Sequence, residues 1–269
     1  MTISVHSVSL KGKRPQNEDK HSEIINLDGK NPDILPINFF GVYDGHGGKS
    51  ISKFLADNLP QCFINKKVSY PLKKNFVKDI YNYWRELLQS KYRDISTTAG
   101  STCLVVIQYK EADKDFLNIL NTGDSRCVLC RNGLGIPLTK DHKPNWPEES
   151  YRIKKLGGEI VFDGYDYRIC NLSVSRAFGD TSAYPYVTNM PDLYRYKLTS
   201  NDNFMVLACD GLWDVYSNQD VVNIVLESCY DMTGRTRINQ NINIAKKLAE
   251  LAIAKGSTDN ISVIVVFFY

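Results

Sequence analysis

Histidine is scarce in this chain, four in 269 residues, and no second Cys pair joins Cys127 and Cys130. The C-x-x-C spacing of those two therefore does not amount to a zinc site, and on a strand they would face opposite ways. The seven cysteines are odd in number and scattered, which excludes a compact disulfide framework and leads us to expect a reducing compartment, the cytosol or nucleus. No run approaches the ~18 apolar residues that a membrane helix needs. The opening stretch MTISVHSVSLKGK lacks the apolar core and small-residue cleavage site of a secretory signal, and Thr2 stands where N-myristoylation requires Gly. Charge of one sign is missing too: 33 basic residues against 30 acidic leave a net +3. Neither a nucleic-acid nor a membrane partner is expected on that balance, and Lys66/Lys67 and Lys73/Lys74 read as solvated faces. No repeat, low-complexity tract or Pro/Ser-rich linker breaks the composition, so one continuous domain over 1–269 is expected.

What is present can build a core. Hydrophobic residues are 43% and charged residues 23% of the chain, far from the regime of disorder. Between Leu72 and Tyr92, the residues Phe76, Ile80, Trp84 and Leu88 recur every four positions and predict a helix. Ile244, Leu248, Leu251 and Ala252 mark another, with Gly256 as its stop. Six β-rich runs predict strands: Phe39 to Tyr43, Ser101 to Tyr109, Phe116 to Leu120, Cys127 to Cys130, Phe204 to Ala208 and Ile261 to Phe268. Because strands cluster instead of alternating with helices, an α+β fold with mostly antiparallel sheet is expected. Runs apolar on both faces, such as Ile261 to Phe268, need cover on both sides, as when two sheets stack with helices outside.

Acidic residues recur just after or before those runs, next to Gly or Asn: Asp44-Gly45, Asp124 in NTGDSR, Asp210-Gly211 and Asp259-Asn260. One such pair is ordinarily a turn. Four at strand ends, with Glu18-Asp19 as a fifth, suggest a constellation presented by a rigid scaffold. Carboxylates that converge repel one another, and cations resolve the conflict. An all-oxygen shell suits Mg²⁺ or Mn²⁺, and Gly45 would let its carbonyl approach an ion beside Asp44.

Eight stretches carry a family resemblance: RPQNED (Arg14 to Asp19), VYDGHGG (Val42 to Gly48), AGSTC (Ala99 to Cys103), NTGDSR (Asn121 to Arg126), DHKP (Asp141 to Pro144), VSRAFGD (Val174 to Asp180), ACDGLWD (Ala208 to Asp214) and TDNISVIVV (Thr258 to Val266). In this order, over nearly the whole chain, they resemble the type 2C metal-dependent protein phosphatases. The resemblance implies a four-layer α-β-β-α sandwich and a two-metal centre that removes phosphate from serine and threonine by attack of a metal-bridging water or hydroxide. By motif matching, Asp44 would bridge both ions, Gly45 would give its carbonyl to one, and Asp210 and Asp259 would complete the other. Glu18 and Asp19 would act directly or through water. Where relatives hold a weaker third ion, the positions matching Asp124 and Asp214 take part.

Arg14 would hold the phosphate, because a guanidinium pairs two oxygens at once. His46 would protonate the leaving oxygen, its ordinary pKa near 6.5 suiting an acid near neutrality. Thr102 and His142 match motifs as well, but positioning or packing explains them equally. Phosphoprotein substrates and a monomer are expected. A flap subregion at about 143–170 is expected as a loop beside the site that bears on substrate choice. Asn171, where relatives often have Gly, and a short connection from Thr181 to Pro191 depart from the family pattern.

Three other readings compete. Cys170 and Arg176 have the C-x₅-R spacing of thiolate phosphatases, but the loop between them has no Gly and includes Leu172 and Val174. GGKS at Gly47 to Ser50 misses the phosphate-loop pattern because Tyr43 stands where it needs Gly. A pseudophosphatase acting as a binding module would lack acids; every required carboxylate is present.

Overall fold

The computed structural model describes residues 2–27, 29–231, 233, 236–239 and 241–269. The run ISVIVVFF forms the strand Ile261–Phe268, with all eight residues buried. It lies inside a five-stranded sheet ordered Ile3–Leu10, Ile261–Phe268, Asp202–Ala208, Arg126–Arg131, Leu134–Pro137. A second five-stranded sheet runs Asp192–Lys197, Lys114–Thr122, Cys103–Glu111, Asn38–Tyr43, Lys20–Ile25. Every neighbouring pair in both sheets is antiparallel.

The period-2 alternation of strands decides what each face meets. Ile264 and Val266 join Met205 and Leu207 in packing against Phe40, Val42, Leu104 and Val106 of the other sheet. Val263, Val265 and Phe267 point the other way, onto the helices Asn218–Cys229 and Ile244–Ala254. Phe39, Tyr43 and Val105 of the second sheet are covered by the helices Ser50–Phe63 and Lys74–Lys91. The result is the four-layer α-β-β-α sandwich, and burying each large aliphatic in it is worth roughly 1.5–3 kcal/mol.

Local signals account for the element ends. Ser217 and Asp220 form a reciprocal capping box at the start of the helix Asn218–Cys229. Asn243 Oδ1 accepts from the Lys246 N–H at the start of Ile244–Ala254, and Gly256 ends that helix with φ +111°. Cys127 and Cys130 do face opposite ways, the first between the sheets and the second toward the helices.

Several elements differ from expectation. The helix Lys74–Lys91 buries Val77, Tyr81 and Leu88, with Phe76, Ile80 and Trp84 only flanking them. A strict four-residue spacing drifts around a 3.6-residue helix, so the buried stripe crosses it. The strand expected over Ser101 to Tyr109 is split at Thr102: Gly100–Ser101 pairs with Gly45–His46 and with Phe178–Gly179 in a separate three-stranded sheet. The flap is not a plain loop. It contains the helix Pro147–Lys155 and a ribbon of Val161–Phe162 with Tyr167–Arg168. The edge strands Ile3–Leu10 and Lys20–Ile25 had no continuous apolar run to announce them, and their residues are only partly buried or exposed.

Candidate metal centre

Asp44 follows the strand Asn38–Tyr43, Asp124 follows Lys114–Thr122, Asp210 follows Asp202–Ala208, and Asp259 precedes Ile261–Phe268. These strands belong to both sheets and end at one edge of the sandwich. There Asp44, Asp124, Asp210 and Asp259 line one cleft of about 640 Å³ together with Arg14, Glu18, Gly45 and His46. Asp19 lies beneath it at 1% exposure, and Asp214 is exposed one helical turn beyond Asp210.

Each group is held by identifiable contacts. The Asp44 N–H donates to Thr102 Oγ1 at 3.1 Å, and the Thr102 N–H donates to the Asp44 carbonyl at 2.9 Å. Thr102 Oγ1 lies 2.8 Å from Ser125 Oγ, which ties the clamp to the turn that carries Asp124. A Cβ on Gly45 would come within 2.4 Å of the Glu18 carbonyl oxygen, so only glycine admits that approach. Asn260 fastens the 11–18 loop: its Nδ2 donates to the carbonyls of Lys11 (2.7 Å) and Gln16 (2.9 Å), and its Oδ1 accepts from the Glu18 N–H (2.8 Å).

The acids crowd one another. Burial, followed by the charges of Asp210, Asp19, Asp124 and Asp259, pushes the Asp44 carboxyl well above its ordinary range. Burial first, then Asp124, Asp214 and Asp259, does the same to Asp210. Burial also raises Asp19, with a further push from Asp259, to about 6. The Asp19 Oδ2 oxygen is buried with no hydrogen-bond partner among the described residues. Asp44 and Asp210 each bring a carboxylate oxygen within 4.8 Å of the other and of Cys209 Sγ. That sulfur is already engaged by the Asn260 carbonyl and the Ser262 N–H, and burial holds its thiol protonated. The free donors are oxygens, a set that fits hard divalent cations such as Mg²⁺ or Mn²⁺.

Two cations of the chain already face the cluster. Arg14 pairs with Asp259 at 2.6 Å and Lys143 with Asp124 at 2.5 Å. His46 Nε2 lies 2.7 Å from Asp180 Oδ2. Burial alone would lower the His46 pKa, but the bond to Asp180 and its charge raise it above its ordinary value. Asp180 adopts φ +44°, and a Cβ on Gly100 would collide with both partners, at 2.1 Å from Asp180 Oδ2 and 2.5 Å from His46 Nε2.

His142 is a positioning residue: its Nδ1 accepts from the Gly123 N–H at 3.1 Å, while Nε2 lies 3.3 Å from Asp192. Arg176 bridges Glu149 and Asp192 in the interior, and Cys170 is exposed. The C-x₅-R pair therefore cannot form a thiolate site. Asn260, Asp180 and Lys143 were not singled out from the sequence for any role in the site. All three lie inside motifs quoted above, but which motif touches which depends on strand pairing, and no local pattern encodes it.

Two stacked antiparallel sheets with helices outside are the fold of solved type 2C phosphatases, and here acids, an arginine and a histidine stand at one edge of it. The chain belongs to the protein phosphatase 2C family, whose model matches residues 3–261. It is 32% identical over 99% of its length to the probable protein phosphatase 2C 42 of Oryza sativa subsp. japonica, covering 84% of that protein. It is also 46% identical, over 59% of its length, to a PP2C-like domain-containing protein of Acanthamoeba polyphaga mimivirus, of which it spans 97%. Among solved structures, a C. elegans sex determining protein superposes with a TM-score of 0.83 at 25% identity, over 99% of this chain and 65% of that one. A serine-threonine phosphatase 2C from Toxoplasma gondii gives 0.74 at 24%, over 99% and 95%.

Proposed function

We propose that the chain is an active protein phosphatase that hydrolyses phosphoserine and phosphothreonine with two Mg²⁺ or Mn²⁺ ions. The observation that carries this reading is the oxygen cluster around Asp44 and Asp210, whose carboxyls are pushed well above their ordinary range by burial and one another. Folding tolerates such crowding where a cation is to be held. Asp44 and the Gly45 carbonyl, with Asp210 and Asp259, would hold the ions, and Glu18 and Asp19 would support them directly or through water. When bound, two divalent ions lower the pKa of water, aim it at phosphorus and neutralise charge on the phosphate.

The remaining work falls to the chain's own side chains. Arg14, at the cleft rim and paired with Asp259 at 2.6 Å, would turn its guanidinium to two phosphate oxygens. His46 would give the proton of its ring to the departing serine or threonine oxygen, with Asp180 fixing the ring and holding it protonated. Thr102 and His142 position the backbone that carries Asp44 and Asp124. Hydrolysis of p-nitrophenyl phosphate in Mn²⁺, abolished by chelator and restored by added ion, tests the reading. A folded chain with no metal-stimulated turnover would show it to be a binding module instead.

A further inference from the structure

Lys143 opens the flap, directly after the positioning residue His142. Its ammonium lies 2.5 Å from Asp124 Oδ2 and 3.8 Å from Asp166 Oδ2, the latter on the flap ribbon's turn. The lysine side chain is 22% exposed and the Asp124 side chain 3%, so this pair is largely withdrawn from water and is not an ordinary surface bridge. Burial works against the charged amine, but Asp124, Asp210 and Asp166 outweigh it and keep Lys143 protonated. The same amine offsets the mutual repulsion that Asp210 and Asp214 feel from Asp124.

We propose that Lys143 is a tethered cation that occupies the Asp124 and Asp214 side of the centre and competes there with a further divalent ion. The inference rests on the two-metal reading above and concerns what happens beside that pair. An ion coordinated to Asp124 at about 2.1 Å would stand within a few ångströms of the ammonium held at 2.5 Å, where the two positive charges repel. A further ion is therefore held at Asp124 more tightly as the amine withdraws, and Asp166 on the flap, 3.8 Å from that amine, is placed to receive it. In this arrangement occupancy beside Asp124 and the setting of the flap are one event.

Isothermal titration of the full chain with Mn²⁺ alone tests this. Lys143→Gln is expected to bind one ion more tightly at the Asp124 side, by about tenfold, or about 1.4 kcal/mol, while Lys143→Arg, which keeps the charge, stays close to the unsubstituted chain. A Lys143→Gln isotherm that overlays the unsubstituted one, with two ions still bound, overturns the tethered cation alone. Absence of Mn²⁺ binding to every form overturns the two-metal reading and this inference with it. A second measurement needs no substitution: amine-reactive labelling read by mass spectrometry should find Lys143 protected at low Mn²⁺ and modified several-fold faster as excess Mn²⁺ displaces it. A labelling rate indifferent to Mn²⁺ also overturns the proposal.

Discussion

Asp180 takes a left-handed backbone conformation with φ +44°, and it presents its carboxylate to His46 at 2.7 Å. If that pair sets the ring's tautomer and protonation, Asp180→Asn should slow turnover of a phosphoserine peptide by about 10²-fold. Hydrolysis of p-nitrophenyl phosphate, whose leaving group needs no proton, should change much less; equal losses on both substrates would argue for a merely structural role. Asp44→Ala and Asp210→Ala should each reduce metal-stimulated turnover to the level seen with chelator, with circular dichroism unchanged. Glu149 offers a pH prediction away from the cleft. Burial by itself would raise its carboxyl, but Arg176, Arg152 and Ser175 overcome that and hold it at about 2. Its folded-state pKa is thus below the unfolded value, so its stabilisation is complete above pH about 4.5 and disappears as pH falls toward 2. Acid unfolding followed by fluorescence should therefore shift to higher pH in Glu149→Gln, which is already weakened at neutrality by about 3 kcal/mol.

The 11–18 loop has no regular structure of its own, yet it carries Arg14 and Glu18 and leads into Asp19. Its shape is imposed by Asn260, whose side chain makes three hydrogen bonds to that loop's backbone. Asn260→Ala should cost about 2 kcal/mol in urea unfolding, through buried backbone groups left unpaired, and weaken Mn²⁺ affinity without removing any ligand. Local patterns at this scale were legible where packing is one-sided or complete: the strand Ile261–Phe268 and the stop at Gly256 are examples. They were not legible at the sheet edges. Ile3–Leu10 is partly buried throughout, so its apolar residues are diluted by Ser and His, and the helix Ser50–Phe63 hides behind an internal Pro60. The apolar run places Thr102 second in a single strand; instead its backbone meets Asp44, a demand made by a residue 58 positions away.

Across the whole molecule, the cleft is where stability has been given up to charge repulsion, since Asp19, Asp44 and Asp210 all resist ionisation. Binding of ions to the folded chain alone should reverse this. Thermal unfolding at pH 7.5 should therefore move up by several degrees in millimolar Mn²⁺, and by clearly less at pH 5, where protons compete for the same oxygens.

The residue types needed for the chemistry, and their place at the ends of apolar runs, could be read from the chain alone because strand period and turn propensity act over a few neighbours. So could the layering, since a run apolar on both faces requires cover on both. Which acids meet could not be obtained in that way. Strand Ile3–Leu10 pairs with Ile261–Phe268, and Arg14 reaches Asp259 across 245 positions, because sheet register and packing bring distant segments within a few ångströms. The tether of Lys143 between Asp124 and Asp166, the Asp180 partner of His46 and the Asn260 clamp were all decided at that level, by distances that exist only once both sheets have closed on their shared core.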